Sequence, residues 1–261
     1  MDTANDTHIR SHTRDGVACI GIHRPQRRNA LTSAMYQALA EALLAAEADD
    51  SVRAVVLHGE PDCFSAGNDI EDFLRRPPAG EEAPVTRFLR AIASAPKPLV
   101  AAVAGPAVGV GTTLLLHCDL VYAAPGARFQ LPFTRLGLVP EAASSLLLPL
   151  LAGHQRAAEL LLLGRPFGPE QAREAGLVNA VVPEAELLDT ALATARELAA
   201  LPPESVRLTK ALLRERWAGA AAERMARESR LFRSRLDSPE AREAFNAFLE
   251  KRPADFTRKA S

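Results

Sequence analysis

A chain of 261 residues with 48% hydrophobic and 24% charged side chains and a formal net charge of −1 has globular composition and enough length to bury a large core without a disulfide or metal staple. Balanced charge with no basic run interleaved with aromatics leaves no nucleic-acid footprint, and the lack of about 18 unbroken apolar residues anywhere predicts no membrane span. Cys19, Cys63 and Cys118 are odd in number and far apart, which excludes a disulfide framework and paired-thiol zinc spacing.

The N-terminal segment MDTANDTHIRSHTRDG is polar rather than a charged-then-apolar signal, and with reduced cysteines it predicts a cytoplasmic location. Val17 to His23 is a short apolar run that stops at Arg24-Pro25 and reads as a strand. From Thr32, placed to cap a first turn, Met35, Leu39, Leu43 and Ala46 recur at helical spacing. Val52 to His58 reads as a second strand closed by the turn Gly59 to Asp62, and Arg75 to Pro84, with three prolines and two glutamates, as a surface loop.

Pro98 to Ala104 is too apolar to be half exposed and reads as a strand buried on both faces, as does Asp119 to Ala124. Between them GPAVGVGTTLLL is a glycine loop that opens a helix. Leu146 to Leu163, broken at Gly153, predicts two core helices, and Leu177 to Val182 another strand. Helices are then expected at Glu184–Ala200, Ser205–Trp217, Ala220–Leu236 and Pro239–Glu250. Strand and helix alternate over the first two thirds and the last quarter is helical, which gives an α/β fold class with a rhythm that suits a spiral of strand-then-helix units.

Three segments can carry chemistry. Phe64-Ser65-Ala66-Gly67-Asn68-Asp69-Ile70 follows a strand and a turn. It is either a turn with an Asp69 cap or a site where the Ala66 N–H is free to meet an oxyanion. Gly105 to Thr113 lies where a buried strand meets a helix, and orphan N–H groups at a helix start cradle negative charge. The segment lacks the Gly-Lys-Ser/Thr of a phosphate loop and the third glycine of a dinucleotide fold. Two such loops with no nucleophile nearby point to enolate stabilisation. Glu141, between Pro140 and a run of small residues, is either an acidic residue in a helix's first turn or a carboxylate in an apolar pocket, raised in pKa into the range of a general base. The six histidines never fall at ligand spacing on one element, so no metal site is expected.

In this order and separation the three segments resemble the crotonase, or enoyl-CoA hydratase/isomerase, superfamily, from the strand before Arg24-Pro25 to the tail Phe248-Leu249-Glu250-Lys251-Arg252. The resemblance implies a ββα spiral over residues 1–200 that binds acyl-CoA, and a C-terminal helical region, 201–261, for assembly as a homotrimer or a dimer of trimers. It implies an oxyanion hole from the N–H groups of Ala66 and Val110. Hydratases of the family carry two glutamates at positions that match Thr113 and Phe133, so both carboxylates are missing. GPAVGVGTTLL, LPFTRLGLVPEAASS and SPEAREAFNAFLEKR are instead similar to peroxisomal-type Δ3,Δ2-enoyl-CoA isomerases, whose single catalytic glutamate matches Glu141. The final Arg-Lys-Ala-Ser is not a peroxisomal address.

The activity implied is a 1,3-proton shift on a 3-enoyl-CoA, with Glu141 as base and no cofactor beyond the CoA of the substrate. Ala66, Gly67, Asn68, Asp69 and Ile70, the loop carrying Arg27 and Arg28, and Gly109 and Phe133 are the implied substrate and CoA contacts. Phe248 and Lys251 match tail positions that reach CoA in a neighbouring subunit. A hydratase, a ring-opening isomerase of aromatic-acid breakdown and a non-catalytic acyl-CoA-binding protein remain as alternatives.

Overall fold

A computed structural model describes residues 8–76 and 80–257, and its organising element is a six-stranded sheet. Strand β1 (Ile9–Arg14) pairs antiparallel with β2 (Val17–Ile22), and the two-residue connection Asp15-Gly16 takes positive φ at both positions, as a tight hairpin turn requires. β1 was not expected: its side chains are polar because it is a sheet edge, and the readable signal was the Asp-Gly pair. Helix α1 (Ser33–Ala48) starts at Thr32, whose hydroxyl accepts from Met35 N (3.3 Å), and it buries Met35, Leu39, Leu43 and Ala46 as the spacing predicts.

Strand β3 (Ala54–His58) pairs parallel with β2. Helices α2 (Ile70–Arg75) and α3 (Pro84–Ser94) follow, so both ends of the expected loop are helical, while its centre, 77–79, lies outside the described residues. The readings of residues 1–7 and of the last four residues lie outside them too. Strand β4 (Leu99–Val103) continues the sheet in parallel. Strand β5 (Pro106–Val108) leaves it, and the short helix α4 (Val110–Thr113) runs into a 3-10 turn over 114–117. Strand β6 (Leu120–Ala123) returns to the sheet, and β7 (Arg128–Gln130) pairs parallel with β5.

Helix α5 (Ser144–Ala152) and helix α6 (His154–Ala158), which passes into a π turn over 159–163, meet at Gly153 as expected. They are not wholly core: Leu150 and Leu162 are more than 60% exposed, because one chain covers only one side of each helix. After α7 (Pro169–Glu174), only Ala180–Val181 of the strand expected at Leu177 to Val182 pairs, as β8 beside β6. Helix α8 (Leu187–Ala200) precedes α9 (Pro203–Leu236) and α10 (Pro239–Leu249). α9 is a single 34-residue helix rather than the two expected. Gly219 in mid-helix costs about 1 kcal/mol relative to alanine, too little to break a helix whose packed stripe continues from Trp217 to Ala221 and Met225.

The large sheet runs β1-β2-β3-β4-β6-β8; β2, β3 and β4 are buried on both faces, whereas β6, expected to be so too, fully buries only alternate residues because it lies near the sheet edge. Alternate residues Ala18, Val55, Leu57, Ala101 and Val103 enter the main core with α1 and α3. Their neighbours Val17, Ala54, Val56, Val100 and Ala102 pack on Leu187, Ala191 and Ala195 of α8. A smaller layer is built around β5 and β7. Ser65 bridges Ala107, Leu31 bridges Asn68, and Phe129 bridges Phe167, so the candidate segments at 65–68 and 105–110 lie edge to edge in one backbone-paired unit.

Candidate active site

Hydrogen-bond accounting locates the free donors of this layer. Ser65 donates its N–H to Pro106 O and accepts from Val108 N, both at 2.9 Å. Ala66 is not the open donor that the sequence suggested: its N–H is spent on Arg28 O at 2.9 Å. Gly67 O accepts from Leu31 N, and Asp69 N donates to Leu31 O, so the Asn68 N–H between them faces away from that partner. It finds no acceptor among the described residues. Gly67 takes φ +89°, and a Cβ there would stand 2.8 Å from Val108 O, so only glycine brings the two segments this close.

The second donor comes from the facing loop. Gly109, at φ 56° and ψ −117°, takes a conformation open essentially to glycine alone and turns the chain into α4. Val110 is the first residue of that helix, so its N–H has no intrahelical partner, and no other acceptor among the described residues takes it. Asn68 and Val110 therefore each supply an unpaired N–H group from two paired, adjacent segments.

Glu141 supplies the carboxyl. It is 8% exposed, its Oε1 has no hydrogen-bond partner, and burial first, then the charge of Glu228, pushes it up to about 8. It is not in the first turn of a helix, since α5 begins at Ser144. Between them Ala142 and Ala143 are both left-handed, at φ 59° and 57°, which costs alanine about 1–2 kcal/mol per residue. Hydrogen bonds hold the turn: Ser144 N and Oγ donate to Glu141 O (3.0 and 2.6 Å), and His117 Nε2 donates to Ala142 O (2.9 Å). That donation fixes the His117 tautomer and leaves Nδ1 unpartnered, and burial lowers the imidazole to about 4, so it is neutral. Glu228 of α9 accepts from Ala143 N (2.6 Å), Ser145 N (3.0 Å) and Ser145 Oγ (2.6 Å). The negative charge at the start of α5 is thus Glu228, not Glu141.

Around this centre Tyr36 of α1 donates its hydroxyl to Asn68 Oδ1 at 2.5 Å, and its own pKa is raised by burial and then by Glu141. A cavity of about 440 Å³ bordered by Leu31, Tyr36, Asn68, Phe73 and Val85 opens beside Asn68. Thr113 is fully buried with an unpartnered Oγ1, and Phe133 is buried in the main core. Asp69 caps α2 through Asp72 N and pairs with Arg24 Nη1 at 2.7 Å. Burial alone would raise its carboxyl, but these two partners outweigh that and hold it below its usual range, which is a structural role. Ile70, half-buried, opens α2. Arg27 and Arg28 are both exposed; Arg27 faces Glu71 at 3.5 Å, and Arg28 contributes its carbonyl to Ala66. Phe248, near the end of α10, and Lys251, in the turn beyond it, are exposed.

Residues 12–259 match the family model described as enoyl-CoA hydratase/isomerase. The chain belongs to the enoyl-CoA hydratase/isomerase family. Among relatives, 1,2-epoxyphenylacetyl-CoA isomerase of Escherichia coli is 38% identical over 258 residues, covering 96% of this chain and 98% of that protein. Enoyl-CoA delta isomerase 2 of Rattus norvegicus is 37% identical over 91% of this chain and 62% of its own length. A crystal structure of an enoyl-CoA hydratase/isomerase from Pseudoalteromonas atlantica superposes with TM-score 0.91 at 44% identity, over 96% of this chain and all of that one. The crotonase fold expected from the sequence is therefore the fold of this family member, with α9 and α10 as its C-terminal helical region.

Within the family frame, sequence reading missed Glu228, His117 and Tyr36, and it placed one donor two residues early. The missing signals differ in kind. Lys210, Arg214, Trp217, Ala221, Met225, Glu228 and Phe232 recur at intervals of three and four, so helical period alone puts Glu228 on the inner face of α9. His117 stands four residues after Thr113, with no sequence cue to its partner. The Ala66 error needed the bond to Arg28 O, which no local pattern reveals. No group of three or more His, Cys, Asp or Glu that could hold a metal ion occurs among the described residues, and no described helix is long and apolar enough to cross a membrane.

Proposed function

We propose that this protein converts 3-enoyl-CoA thioesters to trans-2-enoyl-CoA by a proton shift carried by one carboxylate. Glu141 removes a proton from carbon 2, and the charge that develops on the thioester oxygen is met by the N–H groups of Asn68 and Val110. The same carboxyl returns the proton at carbon 4, so substrate and product differ only in proton position and no cofactor enters. The observation that carries the reading is Glu141 itself: a buried carboxyl with a bare Oε1 and a pKa near 8, while the positions of the hydratase glutamates hold Thr113 and Phe133. CoA is assigned to the 66–70 segment and the 26–28 turn, with Phe248 and Lys251 reaching it from a second copy in a homotrimer or a dimer of trimers.

The test is turnover of 3-hexenoyl- and 3-decenoyl-CoA, followed by the absorbance of the conjugated product. Glu141→Gln should lose about 10²–10⁴-fold in kcat, and crotonyl-CoA should not be hydrated by the wild type. Full activity in Glu141→Gln removes the assigned base. Binding of acyl-CoA without isomerisation or hydration of any enoyl-CoA makes the chain a binding protein. The full-length similarity to 1,2-epoxyphenylacetyl-CoA isomerase supports a second reading, a ring isomerase using the same hole, and turnover of that epoxide in preference to both 3-enoyl thioesters selects it.

A further inference from the structure

We propose that Glu228 is a positioning residue for Glu141: reaching from α9, it clamps the left-handed Ala142–Ala143 turn and so fixes where the Glu141 carboxyl stands. The inference rests on Glu141 being the base. Its geometry is independent of that role. Glu228 is 4% exposed and spends both carboxylate oxygens on the segment directly after Glu141: Oε2 on Ala143 N, Oε1 on Ser145 N and Ser145 Oγ. Left-handed alanines revert to ordinary φ unless their surroundings hold them, and reversion at Ala143 would swing the Glu141 side chain away from its site. His117 secures Ala142 O in the same turn, but the Ala143 and Ser145 donors are held from α9 alone.

The two buried carboxyls also divide the proton between them. Burial raises both, but Glu228 meets two N–H groups and a hydroxyl that favour its charged form, with Arg224 Nη1 on Ser145 Oγ at 3.2 Å, whereas Glu141 Oε1 meets none. The other titratable groups around the turn are Tyr36 from α1 and neutral His117, which Lys210 and Arg214 of α9 face in turn. Ionised Glu228 is therefore the neighbour that keeps the proton on Glu141 to higher pH, and removing its charge moves that titration down.

Infrared titration of the protonated carboxyl band reads this without activity, the Glu141 band being the one lost in Glu141→Gln. In Glu228→Gln the band should titrate lower by about one pH unit or more, the acid limb of kcat/KM should move with it, and kcat should fall about 10²-fold with KM little changed. Glu228→Asp, charged but short, should keep the wild-type titration and lose kcat, and it serves if the Gln variant does not fold. Wild-type titration and kcat in folded Glu228→Gln overturn the clamp. If Glu141→Gln is fully active yet Glu228→Gln shifts its band, the isomerase reading fails and the clamp stands.

Discussion

The Glu141 carboxyl is held against its own solvation. Folding raises it from an ordinary 4.5 to about 8, so the stability it contributes is complete below pH 4.5 and is lost as pH rises through 8. Above that pH the fold carries a buried charge with a bare oxygen, a penalty of several kcal/mol at the upper bound. Thermal unfolding of wild type and Glu141→Gln should therefore differ little at about pH 4.5 and favour the variant increasingly up to about pH 8. A constant difference in Tm across that range contradicts the raised pKa. Catalysis feels the same equilibrium with opposite sign, since the base form grows with pH: kcat/KM should rise through about pH 8 and level above it. The residue type and its apolar setting were legible in the sequence. The second cause of its raised pKa was not, because Glu228 lies 87 positions away along the chain.

At the scale of elements, legibility followed the strength of the local pattern. α1 declared itself through its cap and four apolar positions at helical spacing, and β2, β3 and β4 through runs buried on both faces. β5 and β7 have three residues each, too few for any period to register, and they are the strands that seat the donor loops. α9 was read as two helices because Gly219 is a poor helix former in an exposed stretch, while the inner stripe of Trp217, Ala221 and Met225 runs through it. A Cβ at Gly219 meets nothing within 4 Å. Gly219→Ala should accordingly stabilise the protein by about 0.5–1 kcal/mol, seen as a higher midpoint in urea with an unchanged slope. Destabilisation would mean that α9 bends at this point in solution.

Over the whole molecule, one chain leaves apolar surface uncovered. Leu208, Leu212 and Leu213 of α9 are 55%, 69% and 73% exposed, and Leu150 and Leu162 more than 60%; clusters of this kind mark an interaction face. Sedimentation velocity on the assembly proposed above should give three chains per particle, or six for a dimer of trimers, and Leu212→Glu with Leu213→Glu should shift it to smaller species. A wild-type monomer at micromolar concentration removes the assembly. The small β5–β7 layer has a consequence for how such a protein changes its substrate. Main-chain pairing between Ser65 and Ala107 sets the spacing of the Asn68 and Val110 amides, so the socket proposed for negative charge is gauged by peptide bonds common to all sequences. Side chains lining the neighbouring cavity can be exchanged without resetting that gauge. Under the proposed function, choice of acyl group would thereby be separated from the demand for charge stabilisation, and exchange of Phe73 or Val85 should change acyl preference while the two amides stay in register.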